Sequence, residues 1–333
     1  MHNVSGVLLE TIQKLTEDRS YKVKLFASRE TFEINVLEWG KASNENVIFC
    51  LHGLTRSSRD FAILASFFSK EYRVICPDLV GRGSSSWLKY KTNYHIPFYL
   101  NSLVLLINKL QLKNIDVIGT SLGGILAIFL CSNPKDYFLN FFGNTNIKKI
   151  LINLRPITVK SLVLNDVGAR LKFSELTKLK GGINKVPVSF HSLREAKIFI
   201  KEAFENSIGY QSDIEWKLLT ESYVRYDCQL KCFTTHFDPG ILNPFGLPSF
   251  YQEISKMGLN TLPDLNLWKF YDSISIKTLL LRGMKSEILN KKHALEMNKR
   301  GPKPKLIEFK GVGHAPTLMR TDQLNAIRTF LST

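Results

Sequence analysis

Ser121 sits in Gly119-Thr120-Ser121-Leu122-Gly123, directly after the short apolar run Ile115 to Ile118. A serine hydroxyl becomes a nucleophile when a neighbouring base can take its proton, and it must be held where a substrate can reach it. A sharp strand-to-helix turn does the holding. Its backbone is crowded, so only very small neighbours such as Gly119 and Gly123 let the chain pass and leave the hydroxyl exposed above the sheet. The run after it, Leu122 to Ser132, is apolar nearly all round and stops at Asn133-Pro134, which predicts a buried helix ended by proline.

A base is supplied near the end of the chain. Lys305 to Phe309 predicts a strand that opens into Gly311-Val312-Gly313-His314-Ala315-Pro316, a glycine-rich loop presenting one histidine, His314. An acid is then needed to hold the imidazole in the right tautomer and stabilise its charged form. Two carboxylates follow late apolar strands: Glu287 in Arg282-Gly283-Met284-Lys285-Ser286-Glu287 after Thr278 to Leu281, and Asp166 in Asn165-Asp166-Val167-Gly168 after Ser161 to Leu164. Either could reach the histidine.

Six ordered blocks carry a family resemblance: LHGLTRSSRDF at 51 to 61, PDLVGRGSS at 77 to 85, GTSLGG at 119 to 124, LVLNDVG at 162 to 168, RGMKSEIL at 282 to 289 and GVGHAP at 311 to 316. With them the chain resembles the α/β-hydrolase family, in its compact serine-hydrolase branch with a helical cap. The order serine, acid, histidine along the chain fits that fold. The resemblance implies ester cleavage through an acyl-enzyme, extending less readily to thioesters or amides, on a small-molecule substrate without metal or organic cofactor. It favours Glu287 as the acid over the alternative Asp166, although relatives usually carry aspartate at the Glu287 position. It also implies an oxyanion hole made by two backbone amides, Leu122 after the nucleophile and Leu54 in the His52-Gly53-Leu54 loop. Two other readings stand beside this one: a carbon-carbon bond hydrolase of the same fold, and a non-catalytic ligand-binding homologue. Dehalogenase and epoxide-hydrolase chemistry needs an aspartate where Ser121 stands.

Other conspicuous side chains have plainer expectations. His52 is expected to pack or to bond to backbone while its loop supplies amides, and Asp78 and Arg82 to fix the loop beneath the site. Arg56 and Arg59 have the charge to bind a substrate carboxylate, but pairing with Asp60 or solvation is the simpler expectation. His293 is assigned no role.

The elements that must position these residues follow from hydrophobic pattern. Strands are predicted at about 21 to 27, 33 to 39, 46 to 51, 72 to 76, 114 to 119, 160 to 165, 276 to 281 and 305 to 309. Helical segments separate most of them, so the expected fold class is α/β, a mostly parallel eight-stranded sheet covered on both faces. Residues 1–168 and 272–333 form the expected core. Between them, 169–271 is too long for a loop and is expected to be a helical cap. Ser192 to Ser207 has the periodicity of an amphipathic helix, and many aromatics, among them Phe190, Trp216, Tyr223, Phe233, Phe245, Phe250 and Tyr251, are expected to build the cap's own core. Residues 134–155 are expected to be a surface extension, with Phe138, Leu139, Phe141 and Phe142 packed locally.

The chain has 333 residues, 44% hydrophobic, enough for a large single core. Its formal net charge of +16 favours anionic ligands, but the lysines are scattered and no nucleic-acid module is present, so no nucleic-acid partner is expected. Five cysteines, an odd number, point to a reducing compartment without a disulfide framework, and Cys228 and Cys232 lack the second pair a zinc site needs. No signal-peptide pattern and no apolar run near twenty residues occurs, so no membrane segment and a cytoplasmic location are expected.

Overall fold

The structure, a computed structural model, describes residues 15–132, 157–172, 186–242 and 264–333. The described residues open with two long strands, β1 (Arg19–Ala27) and β2 (Glu30–Trp39), paired antiparallel as a hairpin. β1 alternates buried and exposed residues as an edge strand does. The strands and helices then alternate: β3 (Val47–Leu51), α1 (Ala62–Phe68), β4 (Arg73–Pro77), α2 (Ile96–Lys109), β5 (Asn114–Thr120), α3 (Leu122–Cys131) and β6 (Thr158–Asn165).

The segment after β6 has its own elements: β7 (Arg170–Leu171), β8 (Ser189–Phe190), α4 (Leu193–Ile208), α5 (Asp213–Glu221), β9 (Val224–Asp227), β10 (Cys232–Thr235) and β11 (Leu265–Asn266). The chain closes with α6 (Trp268–Asp272), β12 (Lys277–Gly283), α7 (Lys291–Lys299), β13 (Lys305–Phe309) and α8 (Thr321–Leu331).

Eight strands form one sheet in the order β1-β2-β4-β3-β5-β6-β12-β13. Only β2 runs against the others. The reason is visible in the strands themselves: β3 (VIFCL) is buried at every position, and β12 at all but its first, because helices cover both faces. The mostly parallel α/β sheet expected from the sequence is the one observed. Since parallel strands all point one way, the loops after β3, β5 and β6 emerge together at one edge, where α/β sheets place their sites.

The segment between β6 and β12 departs from a purely helical expectation. α4 and α5 are present, the first capped by Ser192 and the second by a reciprocal Ser212–Glu215 box. Beside them β8, β10 and β9 make a small antiparallel sheet, in which Phe233 pairs with Phe190 and Tyr226. Runs of two to four residues are too short for alternation to be read. The expected surface extension at 134–155 and the aromatics Phe245, Phe250 and Tyr251 lie outside the described residues. Among the described residues no helix is long and apolar enough to cross a membrane.

Candidate active site

Ser121 lies at the junction of β5 and α3 with φ 52° and ψ −114°, a conformation non-glycine residues rarely adopt. Such strain costs on the order of 1–3 kcal/mol and persists only where packing imposes it. The packing is tight at both glycines. A Cβ added to Gly119 would lie 2.5 Å from the Gly123 carbonyl oxygen, and one on Gly123 would collide with the Leu51 carbonyl of β3.

His314, from the loop after β13, receives the serine. The Ser121 hydroxyl oxygen is 3.0 Å from His314 Nε2, and His314 Nδ1 is 2.7 Å from Asp166 Oδ2. A carboxylate can only accept, so the ring proton belongs on Nδ1 and Nε2 is free to take the serine's proton. Asp166 is fully buried and its other contacts are donors: the Gly283 amide to Oδ1 at 2.9 Å and the Ser286 hydroxyl to Oδ2 at 2.5 Å.

The structure therefore corrects the preference for Glu287. That side chain is exposed, and the imidazole nitrogen it was expected to hold is bonded to Asp166 instead. The physical reason lies in the turn after β12. Ser286 folds its hydroxyl back onto Asp166 and accepts the Leu289 amide, which leaves its neighbour Glu287 pointing to solvent. The RGMKSEIL block contributes to the site, but as donors to the Asp166 carboxylate.

Asn165 was not singled out in the sequence. Its amide nitrogen donates to Thr120 Oγ1 at 3.0 Å and to the Pro316 carbonyl at 2.9 Å, while its backbone carbonyl accepts the Ser121 amide at 3.2 Å. It ties the turn bearing the serine to the loop bearing the histidine. Its place immediately before Asp166 was the available signal.

The His52-Gly53-Leu54 loop lies beside Ser121, since a Cβ on Gly53 would be 3.8 Å from Ser121 Cβ. His52 is buried and bonded on both nitrogens. The Leu79 amide donates to Nε2 at 2.9 Å, so the proton sits on Nδ1, which donates to the Gly53 carbonyl at 2.8 Å. That carbonyl shares a trans peptide with the Leu54 N–H, which must point the opposite way. Burial pushes His52 down to about 4, against the opposing pull of Asp78, and keeps it neutral. Leu122 is the first residue of α3, where helix amides lack internal partners and the dipole favours negative charge. Neither the Leu54 nor the Leu122 amide donates to an acceptor among the described residues.

Asp78 accepts the Ser58 and Ser84 amides and the Asn35 side chain, and so fixes the loop below the site. Arg56 is engaged twice by Asp60, at 2.8 and 2.6 Å, and by Ser222 Oγ at 2.6 Å, which joins the core loop to the end of α5. Arg59 reaches Glu17 on the surface. The end of α4 closes over the histidine loop, with Ser207 Oγ donating to the His314 carbonyl at 3.0 Å. His293 packs on Trp268 and against Gly168, and takes no part in the hydrogen bonds that join Ser121, His314 and Asp166.

Comparison with known proteins agrees with this architecture. A model of the α/β-hydrolase fold matches residues 46–166. A 3-hydroxybutyrate-oligomer hydrolase from Cupriavidus necator is 31% identical over 297 residues, covering 89% of this chain and 91% of that protein. A solved protein from Rickettsia typhi superposes with a TM-score of 0.77 at 28% identity, covering 94% of this chain and 99% of that one. An α/β hydrolase from Novosphingobium aromaticivorans does so with a TM-score of 0.74 at 25% identity, over 94% and 98%. Relatedness that runs through almost the whole chain, on a shared sheet, places the protein in the α/β-hydrolase family.

Proposed function

We propose that this hydrolase cleaves carboxylic esters through an acyl-enzyme formed on Ser121. The observation that carries the reading is the histidine bonded on both sides, Ser121 at 3.0 Å and Asp166 at 2.7 Å. In the forward step the Ser121 oxygen attacks the ester carbonyl while His314 Nε2 takes its proton. Asp166 stabilises the imidazolium and stays ionised. The tetrahedral oxyanion is held by the Leu54 and Leu122 amides until it collapses, and His314 returns the proton to the departing alkoxide. Water, activated by the same histidine, then releases the acid.

The Cupriavidus relative's name supplies a substrate class: oligomers of 3-hydroxybutyrate. Such chains end in a carboxylate, and a protein of net charge +16 attracts anionic substrates at long range. The test is fluorophosphonate labelling with peptide mapping, followed by hydrolysis of 3-hydroxybutyrate dimer and trimer beside simple p-nitrophenyl esters. A single adduct on Ser121, lost in His314→Ala, and turnover of the oligoesters are expected. A folded protein with no adduct would refute the nucleophile and leave the non-catalytic reading.

A further inference from the structure

Arg82 is fully buried, yet every hydrogen bond it donates among the described residues goes to a neutral oxygen. Nε donates to the Leu54 carbonyl at 2.8 Å, and Nη1 donates to the Val80 carbonyl at 2.8 Å and to the Tyr99 hydroxyl at 2.7 Å. Its guanidinium also stacks over the Tyr99 ring, 4.8 Å from the centroid. Nη2 has no partner among the described residues. Burying a cation without a carboxylate is costly, and an apolar side chain would fill the space more cheaply. Of the three oxygens the charge holds, the Leu54 carbonyl is the one beside the site.

We propose that Arg82 is a positioning residue for the oxyanion hole, and that it makes the aim of the Leu54 amide depend on how the segment between β6 and β12 is seated on the core. The inference rests on the serine-hydrolase reading above. Leu54 lies between two peptide units, and each is gripped through its carbonyl: Gly53–Leu54 by His52, Leu54–Thr55 by Arg82. With both planes fixed, the torsions at Leu54 are fixed and its N–H has one direction. A charged donor holds a carbonyl more firmly than a neutral one, and a tether that stays put during reaction costs no reorganisation as charge develops.

The second half of the proposal comes from the backbone of the same residue. Arg82 forms an antiparallel bridge with Phe237, just past β10. On either side, the Asp238 amide donates to the Gly81 carbonyl at 2.8 Å and Arg225 of β9 reaches the Gly83 carbonyl at 3.5 Å. Residues 81–83 are thus one of the places where the inserted segment rests on the core, beside the Arg56–Ser222 and Ser207–His314 bonds, and the Arg82 side chain carries that seat to Leu54. Displacing Phe237 moves the backbone from which the tether hangs.

The test uses the full chain with Arg82→Met and Arg82→Lys. Steady-state kinetics on an activated ester are read with the affinity for a trifluoromethyl ketone, whose serine adduct carries an oxyanion, and for the matching methyl ketone, which binds without forming one. Arg82→Met should lose on the order of 10²-fold in kcat at nearly unchanged KM, as a misplaced donor does. Trifluoromethyl ketone affinity should fall in step while methyl ketone affinity stays. Arg82→Lys keeps the charge but cannot reach Leu54 and Tyr99 together, so it should show the same split with a smaller loss. It also decides the matter if Arg82→Met fails to fold. Equal weakening of both ketones, or a rise in KM at unchanged kcat, would overturn the proposal. A wild-type protein that forms no fluorophosphonate adduct on Ser121 refutes the serine-hydrolase reading itself. A labelled wild type whose Arg82 variants keep their preference for the trifluoromethyl ketone refutes this inference alone.

Discussion

Asp166 and His314 stand 148 residues apart in the chain and 2.7 Å apart in space, with the carboxylate on β6's exit loop and the imidazole on β13's. β12 lies between those two strands in the sheet, and its own exit turn supplies the Gly283 and Ser286 donors that fix the carboxylate. Three neighbouring strand ends therefore cooperate in holding one proton acceptor.

The two carboxylates considered from sequence should separate cleanly by mutation. Asp166→Asn is expected to lower kcat by about 10⁴-fold, because an amide in that place favours the wrong imidazole tautomer. Glu287→Gln, on an exposed side chain, should stay within about twofold. Steady-state kinetics on one ester, with circular dichroism to confirm folding, decides it, and the reverse ranking would remove Asp166 from the mechanism.

Removing the proposed nucleophile should silence the enzyme without unfolding it. Ser121→Ala is expected to cost on the order of 10⁵ to 10⁶ in kcat with little change in Tm. Residual turnover near the wild-type rate would show that another group performs the attack.

Ser286→Ala deletes a donor to a buried carboxylate. A hydrogen bond to a charged group contributes about 1.5–3 kcal/mol. Urea unfolding should show a loss of that size together with reduced kcat. A neutral result would mean that the Gly283 amide suffices to hold Asp166.

Gly123→Ala tests the crowding beneath the serine. The added methyl would meet the Leu51 carbonyl of β3, a backbone atom in mid-sheet that has nowhere to go. We expect loss of fluorophosphonate labelling, with destabilisation of at least about 3 kcal/mol if any folded protein forms. Wild-type labelling and stability would mean that the strand end yields easily.

Acid should destabilise the fold over a defined window. Burial pushes His52, His95 and His236 each down to about 4 in the folded state. Unfolded, they titrate near 6.5. Below that value the unfolded chain binds protons that the folded chain does not, so this stability is complete above about pH 6.5 and is lost progressively toward pH 4. Tm measured from pH 7.5 to 4.5 should fall with a slope that shallows in His236→Gln. A Tm flat across that range would contradict neutral buried imidazoles.

What the chain's own pattern determined is what depends on neighbours in sequence. Apolar runs such as Asn46 to Leu51 and Thr278 to Leu281 must be central strands, and a serine between Gly119 and Gly123 at a strand's end must occupy a tight turn. The acid was not of this kind. Asp166 and Glu287 both follow apolar strands that end at the same edge, so periodicity cannot rank them. The choice falls to Asp166 because its backbone turns to φ 54° and aims the carboxylate at the histidine loop, while Ser286 takes the inward place beside Glu287. The grip on Leu54 was equally hidden. His52 and Arg82 read as structural residues, and only the folded chain shows that each holds a carbonyl flanking the same amide. Local sterics and hydrophobic period act over a few residues and can be read along a line. Which donor meets which acceptor is decided by strand order and loop packing, where partners separated by 148 residues become neighbours.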